Sequence, residues 1–194
     1  IEVALRSKTL TQKQARELLQ SNLEEVASLQ NLSNSLLEFS TSAAIKNAPK
    51  EKIILAKSID EAIKRLSGSI HKKAIKISVK VGKISVVGIP ERITELFVIL
   101  LDNAVKYSSS GGQIVVSARM QKNKAHVVVE DKGSGISEVD LPHVFDRFFR
   151  AASSRNVSGH GLGLSIAREI VLAHDGLIDI KSAKGHGTKV EIIL

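Results

Sequence analysis

Three short segments in the second half of the chain restrict its fold more than any other feature. They are Leu101-Asp102-Asn103-Ala104-Val105-Lys106-Tyr107, Asp131-Lys132-Gly133-Ser134-Gly135 and Gly159-His160-Gly161-Leu162-Gly163-Leu164. The first closes a predicted helix, the second follows a predicted strand, and the third opens a helix after a long loop. Surface loops collect glycine for many reasons, so one such run says little. Three in this order, each at an element boundary, describe a single site.

The elements between them follow from periodicity. Residues 11–40 read as one long helix: Thr11-Gln12-Lys13-Gln14 has capping-box spacing, and no Pro or Gly occurs until well past Ser40. Ala15, Leu19, Val26, Leu29 and Leu36 recur at heptad-like intervals, interrupted by Asn22 and Ser33 and widened by Leu18, Leu23, Leu32 and Leu37. A stripe of that width suits a helical bundle, so this helix needs partners. Residues 1–7 read as the last turns of a preceding helix, and the chain therefore reads as a fragment. Residues 41–50 form a linker ending in Pro49 and Lys50.

From residue 51 to 194 strand and helix signals alternate. Strands are expected over Lys52–Leu55, Ile75–Val81, Ile84–Val87, Gln113–Met120, Ala125–Glu130, Leu177–Ser182 and Gly187–Leu194, paired as hairpins. Helices are expected over Ser58–His71, Pro90–Tyr107 and Leu162–His174, with a helical island near Phe145. Partly interleaved elements of this kind imply an α+β fold: an α/β sandwich with helices on one face of a mixed, mainly antiparallel sheet, preceded by the long bundle-forming helix.

Composition narrows the classes. With 194 residues, 43% apolar and 25% charged, the chain matches a soluble globular protein, and no run approaches the roughly 20 apolar residues of a membrane span. Cys is absent, which excludes disulfides and thiolate metal sites and fits a reducing compartment. The net charge of +8 suits a polyanionic ligand. Lys46, Lys50, Lys52, Lys72, Lys73, Lys122 and Lys124 are spread along solvated faces, so nucleic acid is not an expected partner.

On the helix ending at Tyr107, Ile93, Leu96, Phe97, Leu100, Leu101 and Ala104 mark the buried face, while Asn103, Lys106 and Tyr107 share another. An Asn carbonyl is a hard-oxygen ligand suited to Mg²⁺, Lys106 can pair with phosphate, and Tyr107 can pack on a base. A solvated helix end would explain the same residues. Asp131, at a strand end beside Gly133 and Gly135, can accept a hydrogen bond from an exocyclic amine of the kind adenine offers; a surface turn would use Asp-Lys-Gly as readily. The Gly159–Leu164 run opens a helix whose free N–H groups favour phosphate oxygens. No strand leads directly into it, which excludes a dinucleotide fingerprint. Between the glycine runs lies Val144-Phe145-Asp146-Arg147-Phe148-Phe149-Arg150. Phe145, Phe148 and Phe149 would pin this loop, leaving Arg147 and Arg150 to reach a terminal phosphate; a short packing helix would also explain the Phe residues.

Taken together, residues 51–194 resemble the catalytic ATP-binding domain of sensor histidine kinases, with that family's asparagine, first glycine, phenylalanine and second glycine boxes in order. Gly185-His186-Gly187-Thr188 resembles the small glycine turn before the family's last strand. Residues 1–40 resemble the end of the first helix and all of the second helix of the dimerisation and phosphoacceptor hairpin. The resemblance implies that Asn103 holds Mg²⁺ and Asp131 binds the adenine amine. It implies that Lys106 and the Gly159, His160, Gly161, Leu162, Gly163 and Leu164 backbone bind phosphates, with Tyr107, Gly133, Gly135 and Thr188 completing the ATP site. An arginine of the Phe box would sit near the γ-phosphate, and residues 136–160 would be a mobile lid. A response regulator and a second copy of the chain are the implied partners. The fragment would be cytoplasmic, its parent anchored upstream in the cell inner membrane.

Two departures stand out. The family's acceptor His, followed directly by an acidic residue, belongs to the first hairpin helix, which is almost entirely missing; His174, before Asp175, sits at a helix end and reads as structural. Ile99 stands one turn before Asn103, where many relatives carry a second polar residue and where ATPases of the wider GHKL group place a Glu that activates water. An Ile cannot act as a base, so efficient hydrolysis is disfavoured. Two alternatives remain: a GHKL-type ATPase, and a nucleotide-sensing dimerisation module without kinase activity.

Overall fold

The computed structural model describes residues 11, 14, 16–23, 26, 49–151 and 159–194. The chain divides into two compact units, residues 1–41 and 42–194.

In the first unit residues 14, 16–23 and 26 are helical. The capping box is formed as its spacing requires: Gln14 N–H donates to Thr11 Oγ1 at 3.3 Å, and Thr11 N–H donates to Gln14 Oε1 at 3.1 Å. Leu19, Leu23 and Val26 are exposed and Leu18 sits at the margin. Ala15, Leu29, Leu32, Ser33, Leu36 and Leu37 of the expected stripe lie outside the described residues, as does most of the linker.

The second unit contains strand β1 (Glu51–Ile54), helices α1 (Leu55–Arg65) and α2 (Ser67–Lys72), strands β2 (Lys76–Val81) and β3 (Ser85–Gly88), and helix α3 (Pro90–Tyr107). Strands β4 (Gln113–Gln121) and β5 (Lys124–Asp131), a 3₁₀ turn at Leu141–His143, helix α4 (Gly163–Ala173), and strands β6 (Leu177–Ser182) and β7 (Thr188–Ile193) follow. Five strands form the main sheet in the order β2-β4-β5-β7-β6, antiparallel throughout except for β2 with β4. Alternation sets the buried face: Ile114 and Val116, Val127 and Val129, Ile180, Val190 and Ile192 point into one core. Against it α3 buries Ile93, Leu96, Phe97, Leu100, Leu101, Ala104 and Val105, a stripe at helical spacing, with α1 and α4 packed on its flanks. This is the expected α+β sandwich.

Three local expectations are corrected. The expected helix Ser58–His71 starts earlier and breaks in two at Leu66, whose N–H is shared between the Ala62 and Ile63 carbonyls at 3.2 Å each; Gly68, a poor helix former, follows the break. Strands β2 and β3 do not form a hairpin. Ile84 N–H bonds back to Gly82 O at 2.8 Å, a tight turn that takes the chain off the main sheet. There β3 pairs with β1 in a separate two-stranded sheet, and β2 runs parallel to β4 by way of α3. The helical island is a single 3₁₀ turn ending at His143, before Phe145. The β4–β5 hairpin is as expected, turned by Lys122 and Asn123, both at positive φ.

Candidate functional site

The three segments meet around the C-terminal end of α3. Gly133 makes that meeting possible, because its Cα packs against the Tyr107 carbonyl. A β-carbon there would also lie 2.8 Å from Asp131 Oδ1. Ser134 N–H then donates to Tyr107 O at 3.1 Å, fastening the Asp131–Gly135 loop to the helix end. Gly135 rests on the Ala183 carbonyl and Gly187 on the Asp131 carbonyl, so the β6–β7 turn closes over the same loop. Gly185 N–H donates to Ser134 O at 2.7 Å.

Asp131 is buried, with Gly133 N–H donating to its Oδ1 at 2.7 Å. Burial pushes its carboxyl above the ordinary value; the Gly133 and Thr188 N–H groups oppose that rise, and nearby Glu130 adds to it. A carboxylate held out of water with spare acceptor capacity is suited to a donor brought by a ligand. Thr188 stands opposite Asp131 across the β5–β7 ladder, its hydroxyl 3.1 Å from Ser182 Oγ. Tyr107 keeps about a third of its surface exposed.

On the other side, Asn103 faces the start of α4: a β-carbon at Gly163 would lie 3.7 Å from Asn103 Nδ2 and 3.3 Å from Ile99 Cγ2. The start of α4 has no side-chain cap, so its first N–H groups remain for an anion. Lys106 pairs with Asp102 at 2.6 Å, both half-buried, and its ammonium would lie 3.9 Å from a β-carbon at Gly159. His160 and Leu164 are half-buried and Leu162 is buried. Gly161, at φ 72°, accommodates the main chain of Phe148 and Phe149, so the Phe segment rides on the second glycine run.

That segment is only partly pinned as expected. Phe145 packs against the core beneath the Arg168 guanidinium, 5.6 Å from ring centre to Cζ. Phe148, by contrast, is 53% exposed and holds a left-handed conformation at φ 62°, so it pins nothing. Arg147 donates to Glu169 on α4 at 2.7 Å, and Arg150 is half-buried. The first part of the expected lid is fixed: Ile136, Leu141, Val144 and Phe145 pack on the core, and Ile136 N–H donates to Ser182 Oγ at 2.8 Å. Residues 152–158 lie outside the described residues.

Ser182 was not foreseen. It accepts from Ile136 and donates to Gly187 O at 2.7 Å, joining the lid's root to the β6–β7 turn. No sequence pattern marks a strand-end serine for this role.

The arrangement matches a known family: the model described as histidine kinase-, DNA gyrase B- and HSP90-like ATPase covers residues 88–194. The chain belongs to this ATPase family. It is similar to the sensor histidine kinase YkoH of Bacillus subtilis, 35% identical over 180 residues, or 90% of this chain and 39% of that one. It is similar to the sensor histidine kinase CusS of Escherichia coli K12, 30% identical over 196 residues, or 100% of this chain and 40% of that one. Among solved structures it resembles the mycobacterial sensor histidine kinase MprB at 30% identity and a TM-score of 0.66, covering 75% of this chain and 96% of that one. The chain spans about two fifths of the length of the two curated relatives.

Proposed function

We propose that the chain is the ATP-binding catalytic portion of a sensor histidine kinase. It would pass the γ-phosphoryl group of ATP to a His on a dimerisation hairpin, for onward transfer to an Asp of a response regulator. The observation that carries this reading is the junction of Asn103, Ile99 and Gly163. A carbonyl-bearing side chain and an uncapped helix start share a face on which Ile99 is an aliphatic neighbour. Asp131, with the Gly133 N–H holding one oxygen, would accept from the adenine amine, and Tyr107 would lie along the base. Lys106 would leave Asp102 for a phosphate, and the Gly159–Leu164 backbone would donate to phosphate oxygens. Arg147 or Arg150 would approach the γ-phosphate; Arg147 would first have to leave Glu169.

Mg²⁺ fits this donor set, because it binds through few protein oxygens and completes its shell with phosphate and water. Asn103 would hold it, and the ion would neutralise charge on the phosphates. The chain's own residues then supply positioning and charge compensation, which is most of what phosphoryl transfer requires. Hydrolysis would need a base to activate water. Ile99 occupies the place where the ATPases of the group carry one, which favours the kinase over the GHKL-type ATPase alternative.

Residues 1–40 would be the hairpin portion and 51–194 the catalytic domain. The exposed Leu19, Leu23 and Val26 support association into a homodimer through the long helix. No helix among the described residues is long and apolar enough to cross a membrane, and an anchor in the inner membrane would belong to the parent protein. Equilibrium titration with ATP in the presence of Mg²⁺ tests the site. Wild type should bind, Asp131→Asn should lose preference for adenine over guanine nucleotides, and Asn103→Ala should lose the Mg²⁺-dependent part of the affinity. Unchanged affinity in both variants would overturn the assignment.

A further inference from the structure

Lys73 is one of the lysines expected along solvated faces, and the structure corrects that expectation. It stands at the turn between α2 and β2, half-buried, with its ammonium donating to three main-chain carbonyls. These are Val105 O at 3.0 Å, Lys106 O at 2.6 Å and Ser108 O at 3.1 Å. A helix leaves its last carbonyls without intrahelical partners, and a cation there also answers the negative end of the helix dipole. An ammonium has three donors, so this helix end accounts for all of them. The same residue's carbonyl receives Gly111 N–H at 2.8 Å and Ser110 Oγ at 3.2 Å, which ties down the loop that follows α3. From the opposite side, Ser134 N–H grips the Tyr107 carbonyl. The Ser108 hydroxyl between them is buried without a partner, so it contributes nothing to holding this corner.

We infer that Lys73 is a positioning residue for the nucleotide site, an inference that rests on the function proposed above. It touches no nucleotide. Its ammonium fixes the last turn of α3, and with it Lys106 and Tyr107. Through the Tyr107 carbonyl it also sets where the Asp131–Gly135 loop stands. Without it the three carbonyls would turn to water and the last turn would fray. Leu100, Leu101 and Ala104 would remain packed in the core, so the body of the domain would persist while the site loosened.

The test is Lys73→Met, which keeps most of the apolar stem and removes the donors. Affinity for Mg-ATP is measured at a temperature where circular dichroism shows wild type and variant fully folded, so that a loss of stability alone leaves it unchanged. Amide hydrogen exchange is followed at Ser108 and Ser134 in the same samples. Weakening on the order of tenfold is expected, in line with the cost of small misplacements, together with faster exchange at both amides. Lys73→Arg, which restores a charged donor, should recover part of the affinity. A folded Lys73→Met variant with wild-type affinity, or one weakened with exchange at Ser134 unchanged, would overturn the inference. Should Lys73→Met not fold, Lys73→Gln takes its place: about threefold weakening supports the inference and none overturns it. Failure of the wild-type chain to bind ATP would strike the proposed function instead, and exchange at Ser134 would still decide whether Lys73 sets the loop.

Discussion

At its N-terminal end α3 is held by an imidazole, and at its C-terminal end by an ammonium and a glycine loop. His174 lies between α4 and the residue before α3: Ile89 N–H donates to Nε2 at 3.0 Å, and Nδ1 donates to Ile170 O at 2.7 Å. Gly88 packs so closely that a β-carbon there would lie 2.6 Å from a ring carbon. Both ring nitrogens of this anchor are spent on main-chain partners. At the other end Asn103, Lys106, the Asp131 carboxylate and the start of α4 keep capacity to spare, although the backbone around them is just as tightly fixed. A ligand site therefore differs from an anchor in what it leaves over, not in how rigidly it is built.

Substitutions at the two ends should separate stability from binding. The largest effect is expected of Gly133→Val, since its side chain must displace the Tyr107 carbonyl. Nucleotide binding should be lost in a titration while circular dichroism still reports a folded domain. Asn103→Ala should lower phosphoryl transfer by about 10² or more with Mg²⁺ present, read by label transfer, with stability nearly unchanged. His174→Phe should do the reverse. It orphans Ile89 N–H and Ile170 O, costing about 1–3 kcal/mol in chemical denaturation, while nucleotide affinity at low temperature stays as in wild type. A shift in affinity there would break the distinction between the ends.

Asp131→Asn is expected to weaken adenine nucleotide binding roughly tenfold, by loss of one charge-assisted hydrogen bond. Its effect on folding has the opposite sign. Burial raises the Asp131 carboxyl above its ordinary 3.8, so the folded chain holds this proton more tightly than the unfolded one. The group therefore favours folding below about pH 3.8 and costs stability as pH rises through its folded value. Melting curves should show the variant more stable than wild type at pH 7 and the gap closing toward pH 4. The smallest change in stability, read by chemical denaturation, is expected from breaking the Arg147–Glu169 pair itself, which is largely exposed and worth at most about 1 kcal/mol.

Much of this was legible because it is local. Pro90 at the first turn and six apolar residues at helical spacing mark α3, which runs from Pro90 to Tyr107. Lys122-Asn123 between alternating runs marks the β4–β5 hairpin, and the glycine runs mark where backbones approach. Pairings set over long distances were not legible. Nothing in Ser85–Gly88 says that it prefers β1 over β2. Nor does the sequence distinguish Lys73 from Lys72, although one is half-buried against three carbonyls and the other is exposed. Phe148 shows the converse, an aromatic that pattern assigns to the core and the backbone turns outward.

Transphosphorylation tests the central claim most directly. The chain is mixed with γ-labelled Mg-ATP and a longer partner that carries the acceptor helix but is inactivated at the position equivalent to Asn103. Acid-labile label on the partner, with little free phosphate released, is the result predicted for a histidine kinase domain whose Ile99 face lacks a base for water. Rapid release of free phosphate with no label on the partner would contradict it and point to an ATPase.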